Sequence, residues 1–281
     1  MALLVHGLNL HPERMEAISD ALLASGAAVV RMTLYGHRAV YEPLVRVTRA
    51  HWHRDYDEAM QHIRSSDLPG NLPVVLVGQS LGALTMCDWL VHASMRSRGS
   101  AWAAGSTSSP AGSTAATPRS GRVMFPRHAL LLSPAIALRA RVHMLRPLIA
   151  VHPRIPIPSA SDSRDRVYSR LPAGCYRAMF DCYREFHRNL RTQPLPLDNC
   201  TIIGHRKDEL VSWAGLRGLA DSGRLADSGR LAGARLIALT DSQGRGVRHL
   251  AVDRETVGEP EWSNIRDELQ RLVDSTKREN C

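Results

Sequence analysis

The stretch from Pro73 to Gly82 limits what this chain can fold into more than any other. An apolar run, Val74-Val75-Leu76-Val77, drives straight into Gly78-Gln79-Ser80-Leu81-Gly82, and a helix-compatible Ala83-Leu84-Thr85-Met86-Cys87-Asp88-Trp89-Leu90 follows. The pattern predicts a buried strand, a tight turn with Ser80 at its apex, and a helix whose first N–H groups face developing negative charge. A serine hydroxyl is a poor nucleophile until a base takes its proton, so it must be held where an imidazole can reach it. Crowding at such a bend leaves room for little beyond hydrogen two residues before and two after the serine. Gly78 and Gly82 fill those places.

Before this stretch, Leu3-Leu4-Val5 reads as a short buried strand ending in His6-Gly7-Leu8-Asn9, where glycine lets the chain turn and leaves the next N–H facing outward as an oxyanion donor. A helix from Pro12 carries Met15, Ile18, Leu22 and Leu23 on one face and stops near Gly26. The strand Ala28–Met32 leads to Leu34-Tyr35-Gly36-His37, and Trp52, Tyr56, Met60 and Ile63 mark a helix over residues 49–64. Further strands are expected at His128–Leu132, Cys200–Gly204 and Ala234–Leu239, and a closing helix over about 260–273 buries Ile265, Leu269 and Leu272. Apolar strands alternating with helices argue a parallel sheet covered on both faces. Gly7, His37 and Ser80 then share the carboxyl ends of the strands, where such sheets bind ligands.

Two stretches depart from that rhythm. Residues 98–122 are rich in Ser, Gly, Ala, Thr and Pro, which predicts a flexible surface loop because they cannot bury enough apolar area to offset their ordering entropy. Residues 133–198 form a long excursion with scattered apolar side chains, many prolines and a helix over 173–190. An insertion of that length is expected to be a cap over the site, with a small separate domain as the alternative. The core is therefore 1–132 together with 199–281. Within it, the duplication Leu219-Ala220-Asp221-Ser222-Gly223-Arg224 and Leu225-Ala226-Asp227-Ser228-Gly229-Arg230 is too short for a repeat architecture and reads as a surface extension.

On a turn of this kind the partners follow in the order serine, acid, histidine. His249 is the only histidine after Asp208, so the order selects it as the base. Asp198, Asp208, Glu209 and Asp241 are the candidate acids. Asp208 lies just past the carboxyl end of a strand, on the edge where Ser80 also lies, which suits a carboxylate that accepts from the histidine Nδ1–H.

The chain resembles the α/β-hydrolases, in particular capped bacterial carboxylesterases and monoacylglycerol lipase-like enzymes. The resemblance rests on His6-Gly7-Leu8, Leu34-Tyr35-Gly36-His37, Gly78-Gln79-Ser80-Leu81-Gly82, Gly204-His205-Arg206-Lys207-Asp208-Glu209 and Arg248-His249-Leu250. It implies an α/β-hydrolase fold with a mostly parallel sheet of about six strands flanked by helices, and a cap inserted before the acid-bearing strand. It also implies Ser80 as nucleophile, Asp208 as acid, His249 as base, the N–H groups of Leu8 and Leu81 as oxyanion hole, and no cofactor or metal. The chain differs in having Arg38 where members often show a second glycine after the histidine, and in opening directly on the His-Gly strand. Either the sheet is trimmed, with the strand around Val29 at an edge, or the true start lies upstream.

The expected activity is hydrolysis of a small-molecule carboxylic ester with short- or medium-chain acyl groups. Lysophospholipids, thioesters and amides are alternatives on the same residues, as is a binding protein that keeps the fold without turnover. Arg139, Arg141 and Arg146 in the excursion could meet an anionic head group. The net charge of +9 comes almost wholly from arginines spread along the chain, with Lys207 and Lys277 the only lysines, and reads as solvated surface charge. No aromatic-interleaved basic stripe points to nucleic acid. Five cysteines without a C-x-x-C pair fit a reduced compartment, and no stretch approaches the roughly 20 apolar residues of a membrane span, so a cytoplasmic protein is expected.

Overall fold

A computed structural model describes residues 1–38, 40–66, 73–105, 126–159, 161–222, 234–240 and 248–278, with the backbone alone for 98–105. In chain order the elements begin with β1 (Ala2–Val5), a 3₁₀ turn (Pro12–Met15), α1 (Glu16–Ala24), β2 (Val29–Met32), α2 (Tyr41–Val45) and α3 (Arg49–Ser65). Next come β3 (Val75–Gln79), α4 (Leu81–Gly105), β4 (His128–Leu132), α5 (Ala140–His143) and α6 (Arg146–Val151). A short pair β5 (Pro156–Pro158) and β6 (Arg170–Pro172) precedes α7 (Ala173–Asn189) and β7 (Asn199–His205). The chain then runs through α8 (Trp213–Asp221), β8 (Arg235–Leu239), α9 (Arg254–Val257) and α10 (Glu259–Arg278).

Six strands form one sheet in the order β2-β1-β3-β4-β7-β8, and every pairing is parallel. The strands β1, β3 and β4 are buried throughout, while β2 and β8, at the two edges, are partly exposed. Alternation along each strand sends side chains to two separate layers. Leu3, Val5 and Leu76 pack with Trp52, Tyr56, Leu84 and Phe186 from α3, α4 and α7. Ala2, Leu4 and Val77 pack on the other face with Ile18, Leu22, Ile265 and Leu269 from α1 and α10. The chain therefore has the α/β-hydrolase architecture.

Register puts the chemistry at one edge. Val5 pairs with Gly78, Gln79 with Leu132 and Leu132 with Ile203, so the loops after β1, β3, β4 and β7 open side by side.

Between β4 and β7 the excursion supplies α5, α6 and the antiparallel β5–β6 pair, and α7 lies against α4 with Cys175, Met179, Cys182 and Phe186 buried. The loop expected over 98–122 begins later, because α4 continues to Gly105. Ala101, Ala103 and Ala104 have high helix propensity, which outweighs the local Ser and Gly content. The rest of that stretch lies outside the described residues, as does the duplication beyond Ser222. No helix among the described residues is long and apolar enough to cross a membrane.

Candidate active site

Ser80 stands between the end of β3 and the first residue of α4 with φ +50°, a left-handed conformation costly for a side-chain-bearing residue. Three backbone bonds hold it there. Its N–H donates to Leu132 at 2.9 Å, and its carbonyl accepts from Leu84 and Ala135 at 3.1 Å each. The glycines answer to the crowding expected of them: a Cβ at Gly78 would lie 2.8 Å from the Ala83 backbone, and one at Gly82 2.5 Å from the His6 carbonyl.

The Ser80 hydroxyl and His249 Nε2 are 2.7 Å apart, and His249 Nδ1 lies 2.9 Å from Asp208 Oδ2 and 3.1 Å from Oδ1. The chemistry assigns the serine O–H as donor to Nε2 and the Nδ1–H as donor to the carboxylate. Asp208 is itself anchored, since Oδ1 accepts the N–H groups of Leu210 at 2.7 Å and Val211 at 2.8 Å. The carboxylate is almost fully buried, which strengthens its hold on the imidazole.

The other candidate acids are placed differently. Asp198 precedes the amino end of β7 and pairs with Arg127, on the opposite edge of the sheet. Glu209 is partly exposed beside Asp208, and Asp241 lies outside the described residues. Gly7 follows β1 so closely under the turn that a Cβ there would come 3.2 Å from Ser80 Cβ, and Leu8 is the next residue of that loop. Leu81 heads α4, where its N–H lies outside the helical hydrogen-bond ladder.

Four further residues bear on the site without a local sequence signal. Gln79 Nε2 donates to the His249 carbonyl at 3.1 Å, tying the histidine loop to the residue before the serine. Arg139 Nε donates to the Asp208 carbonyl at 2.6 Å and the Val211 carbonyl at 3.2 Å. Arg141 donates to the carbonyl of Glu209. Asn9 bonds the backbone of Tyr168.

His6 and His37 form a buried edge-to-face pair with ring centroids 4.8 Å apart. Burial pushes their pKa values down, His6 to about 4 and His37 to about 3, so both rings are neutral near pH 7. Neutrality is needed, because His6 Nε2 accepts the Leu34 N–H at 3.1 Å and His37 Nε2 accepts the Asn9 N–H at 3.3 Å.

Cys87, Cys175, Cys182 and Cys200 are buried free thiols that burial pushes up, Cys200 to about 12, which removes them as competing nucleophiles. Among the described residues no cluster of three or more His, Cys, Asp or Glu could hold a metal ion.

The sequence profile of the family described as serine aminopeptidase, S33 (Hydrolase_4) matches residues 1–170. That span takes in Gly7 and the Gly78–Gly82 turn and ends before β7. No curated protein sequence matches the chain. Among solved structures, monoglyceride lipase from Saccharomyces cerevisiae, in a soluble variant bound to a substrate analog, superposes with a TM-score of 0.68 at 12% identity, covering 98% of this chain and 86% of that one. Monoacylglycerol lipase from Paleococcus ferrophilus gives 0.65 at 16% identity, with 97% and 93% covered. A structure from work on LipS and LipT, two metagenome-derived lipolytic enzymes, gives 0.63 at 16%, with 95% and 93% covered. These likenesses are of fold.

Proposed function

Because the chain belongs to the serine aminopeptidase S33 (Hydrolase_4) family of α/β hydrolases, we propose that it is a serine hydrolase that cleaves short- to medium-chain carboxylic esters through Ser80, His249 and Asp208. The observation that carries this reading is the continuous chain of contacts from the serine hydroxyl to His249 at 2.7 Å and on to Asp208 at 2.9 Å. In this scheme Ser80 Oγ attacks the ester carbonyl while His249 Nε2 takes its proton and Asp208 stabilises the imidazolium. The N–H groups of Leu8 and Leu81 hold the oxyanion. The histidine proton then passes to the departing alkoxide, which leaves as the alcohol. Water attacks the acyl-serine with His249 as base, releasing the acid and restoring Ser80.

Residues 133–198 serve as the cap in this reading, with α7 packed against α4 and Tyr168, from the loop between β5 and β6, bonded to Asn9 beside Leu8. Neutral esters are favoured over lysophospholipids because the half-buried Arg139, the arginine that reaches the Asp208 carbonyl, already donates to it and to the Val211 carbonyl. The four buried thiols support action in a reducing compartment.

The test is hydrolysis of p-nitrophenyl esters from acetate to long-chain acyl, beside alanyl and leucyl p-nitroanilides, by the wild type and Ser80→Ala. Ester turnover that Ser80→Ala abolishes, with an optimum at short or medium chains, is the expected result. Preference for the anilides would make the enzyme an amidase, and no turnover by the folded wild type would overturn the catalytic reading.

A further inference from the structure

Arginines are spread along the chain, but the acidic residues that balance them are not, so the excess positive charge is concentrated rather than a uniform solvated surface charge. Between Asp88 and Asp162 lie nine arginines and neither an aspartate nor a glutamate, so this stretch accounts for the whole net charge of +9. It includes α5 and α6, where the surface is also unusually apolar. Met144 is 77% exposed, Leu148 44% and Val151 74%. Leu148 and Val151, three residues apart, share one face of α6, and Met144, in the turn before it with right-handed helical backbone angles, extends that ridge. Val142 and Ile149 are buried beneath, and Arg177 from α7 donates to the Ile149 carbonyl at 2.7 Å, so the ridge is part of a packed element.

Arginines border the ridge. Arg146 lies with its guanidinium carbon 5.0 Å from the Phe180 ring centroid, and Arg141 is exposed with its donors on the Glu209 carbonyl. Among the described residues no carboxylate lies within ion-pair distance of Arg139, Arg141 or Arg146, whereas Arg154 pairs with Glu42 at 2.9 Å. A carbonyl contact satisfies hydrogen bonds but leaves the charge unneutralised.

We propose that the α5–α6 face docks on an anionic lipid surface, with Met144, Leu148 and Val151 entering the interface and Arg141 and Arg146 meeting the headgroup phosphates. Apolar area gains from leaving water only against something apolar, and bare arginines gain from fixed negative charge; an anionic lipid surface supplies both at one depth. A second copy of the same face would set arginine against arginine. A nucleic acid would leave the ridge without an apolar partner. Arg139 and Arg141 reach the carbonyls of Asp208 and Glu209, so the docked face borders the loop that carries Asp208 and turns that side of the molecule toward the lipid. The proposal does not depend on the esterase reading, because its readout is binding.

Sedimentation with large unilamellar vesicles, using the full chain and Ser80→Ala to prevent turnover of the lipid, tests it. Vesicles of phosphatidylcholine with about one-third phosphatidylglycerol should bind the protein at about 50 mM salt, and phosphatidylcholine alone about tenfold less or worse. Binding should fall steeply toward about 0.5 M salt. Met144→Ser with Val151→Ser, and separately Arg146→Gln, should each weaken binding about tenfold while far-UV circular dichroism and the thermal melt show a folded chain. Equal binding to both vesicles, no binding, or binding indifferent to the ridge variants would overturn the proposal. So would a wild-type dimer in sedimentation velocity that the ridge variants convert to monomer, which would give the face to a second copy.

Discussion

Asn9 holds Tyr168 through both halves of its side-chain amide: Oδ1 accepts the Tyr168 N–H at 2.8 Å, and Nδ2 donates to the Tyr168 carbonyl, also at 2.8 Å. The same Nδ2 donates to Ser159 Oγ at 2.9 Å, and the Asn9 carbonyl accepts from Val167 at 3.0 Å. The residue beside the proposed oxyanion donor Leu8 is therefore clamped to a strap from the excursion, across more than 150 positions of sequence. Asn9 has φ +58°, so glycine can replace it without backbone strain while deleting the clamp. Asn9→Gly should lower kcat about tenfold and weaken a boronic acid analogue in parallel, with KM changing less, because a displaced donor is felt most by the oxyanion. Equal losses in kcat and in substrate affinity would assign Asn9 a role in binding alone.

The buried histidines set a pH dependence for stability. A folded-state pKa of about 4 for His6 and about 3 for His37, below the unfolded value of 6.5, means the unfolded chain binds more protons below pH 6.5. Stability must then fall as the pH drops through 6.5 toward 4. Burial raises Asp55 to about 6, and that group works in the opposite sense between about pH 6 and its unfolded value of 3.8, so it offsets part of the loss. Burial also lowers His92, His143 and His187, which act in the same sense as His6 and His37, so the net is acid sensitivity: Tm should fall by roughly 5–10 °C between pH 7 and 4.5. In His37→Gln the slope should be shallower, since the imidazole with the lowest folded-state pKa no longer titrates. A slope unchanged in the variant would remove His37 from the account.

Elements with a strong one-dimensional signature were legible. The apolar runs of β1, β3 and β4 and the periodic faces of α3 and α10 follow from burial on a covered parallel sheet, and chain order alone singled out His249. Gln79, Arg139 and Asn9 were not legible in these roles because each acts on backbone 69 to 170 positions away, through a polar side chain that no local pattern marks. The β5–β6 pair escaped because three-residue strands ending in proline show no alternation. The concentration of arginine between Asp88 and Asp162 was present in the sequence, but it gains meaning only once α5 and α6 are seen to expose Met144 and Val151 beside it.

Two glycines in comparable helical settings should respond to alanine with opposite signs. A Cβ at Gly82 would stand 2.5 Å from the His6 carbonyl and 2.6 Å from the Val5 carbonyl, both rigid backbone, so Gly82→Ala must displace β1 or α4. A cost of about 3 kcal/mol or more is expected, read as a drop of several degrees in Tm together with lost ester turnover. At Gly218, inside α8, a Cβ would meet nothing within 4 Å. Gly218→Ala should raise stability by about 0.5–1 kcal/mol through helix propensity, with turnover unchanged.

Arg14 joins the strap to the loop that follows His249. Its Nε lies 2.9 Å from Asp165 Oδ1 and its Nη2 donates to Asp253 Oδ2 at 2.6 Å, while Asp253 also caps α9 by accepting the Thr256 N–H at 2.8 Å. Asp165 is 2% exposed, so Arg14→Met would leave its charge buried without the guanidinium. Losing one partner of a buried pair costs about 3–5 kcal/mol, whereas neutralising both is often close to neutral. Arg14→Met alone should therefore be strongly destabilising, and Arg14→Met with Asp165→Asn should recover much of the loss. The recovery would appear as a coupling energy of about 1 kcal/mol or more in a double-mutant cycle on Tm or urea midpoints. Additive effects would show that Asp165 is held by its other contacts and that the strap does not depend on Arg14.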